Sequence, residues 1–186
     1  GASPALLVEG AGAGGAGGRW LPDGRGVIYF RSGQLHRLDL ETNQSRQLTN
    51  EPRVMPITTI SPDGRWVVYQ STASGNVDLR VVPAEGGPSR VVIATPGEDY
   101  HPFVSPSGRW LYFQPDHKNL FRVPGPAQGW RQAPPEKVTH FPESGLSLED
   151  TQASPDGRQL AYSRGHITGD VWILDFGNFK AVTGDK

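Results

Sequence analysis

A turn sequence that recurs four times constrains this chain more than any other feature. It reads Leu21-Pro22-Asp23-Gly24-Arg25, Ser61-Pro62-Asp63-Gly64-Arg65, Ser105-Pro106-Ser107-Gly108-Arg109 and Ser154-Pro155-Asp156-Gly157-Arg158. Successive prolines lie 40, 44 and 49 residues apart. Repeats of roughly 40–50 residues with strand-like content are the mark of β-propeller blades.

The motif has a mechanical basis. Pro presets φ near −65°, Asp suits the next turn position, and Gly supplies the left-handed conformation that rejoins a hairpin. A β-forming run follows each copy: Val27-Ile28-Tyr29-Phe30, Trp66-Val67-Val68-Tyr69, Trp110-Leu111-Tyr112-Phe113 and Leu160-Ala161-Tyr162. These runs are apolar on both faces, as an inner strand between two neighbouring sheets requires. A third strand opens on a polar residue in each repeat, at Gln34, Asp78, Asn119 and Asp170. A fourth is predicted at 46–49, 90–93, 137–139 and 180–183. The strand ahead of each turn is predicted at 57–60, 102–104 and 151–153, with a weaker 19–21 in the first repeat. Four strands per repeat and four repeats predict an all-β propeller of four four-stranded blades.

Composition narrows the function classes. The 186 residues hold 24 Gly and 17 Pro, which suits frequent turns, and no apolar run approaches the length of a membrane helix. Net charge is −1 with basic residues scattered, so there is no electrostatic footprint for nucleic acid. Cysteine is absent, which removes disulfides, thiolate metal sites and a cysteine nucleophile. The chain opens on Gly-Ala-Ser and is read as starting at a processed end.

The Ser-Pro-Asp-Gly-Arg turn, the stretch from Asp78 through Pro83 to Gly87, and Asp99-Tyr100-His101-Pro102-Phe103-Val104-Ser105-Pro106 together resemble the blade repeats of TolB-like β-propellers. The resemblance covers about 17–186, and the first repeat departs from it with Leu21 in place of Ser. It implies rings of six or more blades, and a role in protein interaction or ligand sensing in a periplasmic or other extracytoplasmic setting. Fold does not dictate function, so accessory propellers of peptidases or polysaccharide lyases stand as the alternative.

The expected organisation is an N-terminal strand and Gly-rich linker at 1–18, followed by blades at 19–53, 54–97, 98–146 and 147–186. A propeller must close to protect its sheet edges. Four blades therefore predict either an unusually wide wedge angle, a longer parent chain, or a half-ring completed by a second copy in a homodimer. The short run Ala5-Leu6-Leu7-Val8 is expected to add a strand to a neighbour or to remain a tail on the glycine linker.

Catalytic signatures are lacking. Gly10, Gly12 and Gly15 match a dinucleotide fingerprint, but a β-turn follows where the motif needs a helix. Ser61, Ser105 and Ser154 repeat with the turn, whereas a nucleophile is expected once, and there is no Gly-x-Ser-x-Gly elbow. No cofactor is predicted. The histidines, His36, His101, His117, His140 and His166, have no metal-binding spacing, although strands of different blades can converge at the axis. The predicted binding site is the channel mouth, on polar residues of the innermost strands: Thr58, Asp99, His101, Glu149, Asp150 and Gln152. The expected partner is a protein, a ligand or a second copy of the chain, with neither nucleic acid nor membrane insertion.

Overall fold

The computed structural model describes residues 8–11, 18–115, 117–142, 147–165 and 170–175, with residue 150 and the last six given by backbone alone. The predicted strands at 5–8 and 180–183 lie outside the described residues, apart from Val8.

Each repeated turn closes the way its residues dictate. In the second copy Gly64 N–H donates to Ser61 O at 2.8 Å and Ser61 N–H to Trp66 O at 2.9 Å, with Gly64 at φ +70°. The Ser61 hydroxyl accepts the Trp66 N–H at 3.0 Å and donates to Asp63, whose carboxylate takes the Arg65 N–H at 3.1 Å. Ser105 and Ser154 hold Trp110 and Gln159 in the same manner. The serines are turn clasps. In the first copy Leu21 has no hydroxyl, yet Gly24 N–H still reaches Leu21 O at 2.9 Å, and the leucine side chain is buried in the core instead.

The turns join antiparallel strands into sheets ordered as in the sequence. The first sheet holds β1 (Arg19–Trp20), β2 (Gly26–Arg31), β3 (Gln34–Asp39) and β4 (Ser45–Gln47). The second holds β5 (Val54–Ile60), β6 (Trp66–Ser71), β7 (Asp78–Pro83) and β8 (Arg90–Ile93). The third holds β9 (Asp99–Val104), β10 (Trp110–Pro115), β11 (Phe121–Pro124) and β12 (Glu136–Lys137). Among the described residues the fourth has three strands, β13 (Ser147–Ala153), β14 (Gln159–Gly165) and β15 (Asp170–Asp175). The sole helical element described is a 3-10 turn, Pro126–Gln128.

Side-chain alternation packs these sheets side by side. On β6, Val67 and Tyr69 point to the first sheet and meet Leu21, Ile28, Leu35 and Leu48, while Val68 points the other way. Val68, Leu79 and Val81 meet Leu111, Phe113, Val123 and Trp130 of the third sheet. Tyr112, on the opposite face of β10, joins Leu120 against Leu148, Leu160 and Tyr162 of the fourth. Strands apolar on both faces thus produce three successive inter-sheet cores.

In blades 1 and 3 the polar residue ahead of or opening the third strand secures the hairpin to the chain leading onward, whereas Asp78 of blade 2 takes the Ser74 hydroxyl within its own hairpin. Gln34 Oε1 accepts from Thr49 Oγ1 at 2.7 Å, and its amide donates to Glu51 O at 2.7 Å. Asn119 Oδ1 accepts the Phe141 N–H at 2.9 Å in the equivalent place. The first strands of successive sheets adjoin one another, β1 to β5, β5 to β9 and β9 to β13. They share a cleft of ≈ 450 Å³ lined by Trp20, Thr58, Ile60, Phe103, Thr151 and Gln152, among others. Sheets fanned about a common cleft, with first strands innermost, make the chain a β-propeller of four blades.

Candidate metal centre at the blade 3–blade 4 mouth

Three of the four innermost strands, β5, β9 and β13, are longer than predicted, and each of these passes through a β-bulge. The β9–β10 register pairs Phe103 with Tyr112 and then Tyr100 with Gln114, so His101 and Pro102 together oppose a single residue. β13 shifts likewise between Glu149 and Gln152, and β5 between Val54 and Thr58. Proline fits such a place because the bulge leaves its missing N–H uncalled for, and Pro56 and Pro102 both lie in these irregular stretches. A bulge also re-aims side chains, which is why bulges gather beside functional sites.

His101 stands in its bulge at φ +49°, an uncommon backbone conformation for a residue other than glycine. His117 lies in the hairpin between β10 and β11 at φ +56°, and its carbonyl accepts the Leu148 N–H of blade 4 at 2.7 Å. That bond ties the blade 3 hairpin to β13 one residue ahead of Glu149. The result is a cluster across two blades. His101 Nε2 and His117 Nδ1 are 3.2 Å apart, His101 Nε2 is 3.4 Å from Glu149 Oε2, and His117 Nδ1 is 3.8 Å from Glu149 Oε1. The Tyr100 ring stacks on the His117 imidazole with centroids 3.8 Å apart and fixes its plane. The three side chains are 22%, 35% and 44% exposed, so the cluster is held from below and open above.

The remaining predicted site residues are distributed differently. Thr58 and Gln152 line the central cleft, Thr58 buried and Gln152 exposed. Asp99 does not face the mouth. It is fully buried, and its carboxylate accepts from Thr95 N–H at 2.9 Å and Thr95 Oγ1 at 2.8 Å, securing the approach to β9. Asp150 lies on β13, with its side chain outside the described residues. His117 was not among the predicted residues; it and His101 lack a metal-binding spacing in the sequence, and the fold nevertheless brings their rings together. Of the others, His36 stacks on Tyr29 in blade 1, where burial first and then the charge of Arg31 lower its pKa. His140 is exposed, and His166 lies outside the described residues.

A repeated strut braces this region. Gln70 and Gln114, both fully buried, occupy matching places on the second strands of blades 2 and 3. Gln70 Nε2 donates to Asp99 O at 3.3 Å, and Gln114 Nε2 to Thr151 Oγ1 at 2.5 Å. Each glutamine therefore holds the innermost strand of the next blade, Gln114 at the bulge of β13 and Gln70 just ahead of the bulge of β9.

Fold and site together define a β-propeller with a polar cluster where blades 3 and 4 meet. Among solved structures the chain is similar to TolB from Acinetobacter baumannii, at 18% identity and TM-score 0.73, over 88% of this chain and 41% of that one. It is similar also to an oligogalacturonate lyase in complex with manganese, at 19% identity and TM-score 0.71, over 95% of this chain and 55% of that one. Identities this low establish the fold alone. An uncharacterized protein of Agrobacterium fabrum is 25% identical over 109 residues, 56% of this chain and 37% of that protein. The chain thus spans between 37% and 55% of the length of these proteins. No family model matches it. Among the described residues no helix is long and apolar enough to cross a membrane.

Proposed function

We propose that the chain is a non-catalytic propeller module that captures a ligand or a protein partner, which includes a second copy of itself, at the mouth formed by blades 3 and 4. One observation carries the reading: two innermost strands and a hairpin converge to present His101, His117 and Glu149, partly exposed, on a braced scaffold. Repeated serines and aspartates, which elsewhere serve as nucleophiles and acids, are committed to turns here. The rim is therefore suited to recognition, and the resemblance to TolB-like repeats supports an extracytoplasmic setting.

The test is capture from an envelope extract by the chain and by a His101→Ala, Glu149→Ala double variant. Capture by the chain, lost in the double variant with the β-sheet circular dichroism kept, is the expected result. Equal capture by both retires the site.

A further inference from the structure

We infer that His101 Nε2, His117 Nδ1 and the Glu149 carboxylate form a binding site for a divalent cation of the zinc class. Two imidazoles and one carboxylate are the borderline donor set that Zn²⁺ takes at bond lengths of about 2.0–2.1 Å. A tetrahedron with such bonds has edges of about 3.3 Å, by geometry from those lengths. His101 Nε2 stands 3.2 Å from His117 Nδ1 and 3.4 Å from Glu149 Oε2, on that edge, and His117 Nδ1 stands 3.8 Å from the second carboxylate oxygen, Oε1. With one donor atom taken from each residue, the three atoms fall within 4.8 Å of one another, so a turn of the Glu149 carboxylate would bring one of its oxygens onto an ion held by both imidazoles.

The scaffold is arranged for it. His101 holds an uncommon positive φ inside a bulge, whereas the positive φ of His117 belongs to its hairpin, as those of Ser32 and Gly75 do in blades 1 and 2. Unusual backbone states of this kind concentrate where side chains must be aimed. Tyr100 fixes the His117 ring, and the Leu148 N–H to His117 O bond holds the blade 3 ligands against the blade 4 ligand. Supports of that sort are what orient metal ligands. With three protein donors and partial exposure, the fourth coordination position is open to water or to a donor atom of a captured ligand. The ion would also bridge blades 3 and 4.

The inference rests on reading this mouth as the binding site, but its test does not involve the partner. Untagged chain, stripped of metal, is titrated with ZnCl₂ by calorimetry, and separately with Co²⁺ followed by its visible absorption. Because asparagine tolerates positive φ, His101→Asn and His117→Asn remove a ligand while sparing the backbone, and Glu149→Gln keeps the shape of the carboxylate. One Zn²⁺ per chain is expected. Each substitution should weaken it at least ~100-fold, since even supporting residues cost 10–100-fold, and His36→Asn should leave it unchanged. Tetrahedral Co²⁺ bands should appear and vanish with the same three variants.

Absence of one-to-one binding would show that the cluster is only a hydrogen-bonded network and overturn the inference. So would Zn²⁺ binding indifferent to all three substitutions, and so would a site that takes Mn²⁺ in preference to Zn²⁺. Partner capture that persists in a chelator with Zn²⁺ binding intact leaves the metal site standing. Zn²⁺ binding with no partner capture leaves it standing too, and removes the capture reading alone.

Discussion

Tyr69 shows how a single side chain couples two blades. It is fully buried in the core between blades 1 and 2, and its hydroxyl donates to Glu51. Glu51 also pairs with Arg80 Nε at 2.8 Å and accepts from Ser89 Oγ at 3.2 Å. Burial, followed by the hydrogen bond to the Glu51 carboxylate, pushes the phenol up to about 12. The neutral phenol is thus favoured in the folded chain relative to an unfolded value of about 10. Its stabilisation is full below pH 10 and disappears as pH rises through 12. In tyrosinate absorbance, the difference between the chain and Tyr69→Phe should centre near pH 12 and coincide with loss of near-ultraviolet dichroism. A difference centred near pH 10 in folded protein would mean that the phenol is neither buried nor paired with Glu51.

At the scale of elements, the turn decides how strands are phased, and burial decides how much each turn contributes. Ser61 is fully buried, and Ala in its place would leave the Trp66 N–H without its acceptor. A loss of about 1–3 kcal/mol is expected by chemical denaturation. Ser154 makes the same bond to Gln159 in an exposed turn, where water can substitute. Ser154→Ala should therefore cost less than half as much, and equal costs would contradict the burial argument. The turn and its following strand were legible in the sequence because they are local: Pro, Gly and an apolar run suffice. Thr58, His101, Glu149 and Gln152 could be placed on innermost strands by the same logic. What sequence reading missed was the bulge, which depends on the register between β9 and β10 and not on any one residue. His117 is 16 residues from His101, and only that register carries the hairpin after Pro115 back beside Asp99 and His101. Counting the antiparallel register outward from the Ser105 turn is the signal that finds it. The burial of Asp99 was equally hidden, since the Thr95 that takes its carboxylate lies before the strand begins.

For the molecule as a whole, stability resides in three seams joined in series. Each described core draws on two adjacent blades only: blades 1 and 2, blades 2 and 3, or blades 3 and 4. In such arrays the interface between neighbours is the unit of cooperativity. Phe113 is fully buried in the middle seam beside Leu111, Val123 and Trp130. Phe113→Ala should cost about 3–5 kcal/mol, and Phe113→Leu less because more of the space stays filled. The loss should also be uneven. Blades 1 and 2 keep the seam built on Ile28, Val67 and Tyr69, so amides of β2 and β3 should retain hydrogen-exchange protection after those of β10 and β11 have lost it. Protection that falls by the same factor in all four blades would mean that the sheets unfold as one unit. The central cleft shared by their innermost strands, and not the nearest-neighbour seams, would then be what holds the blades together.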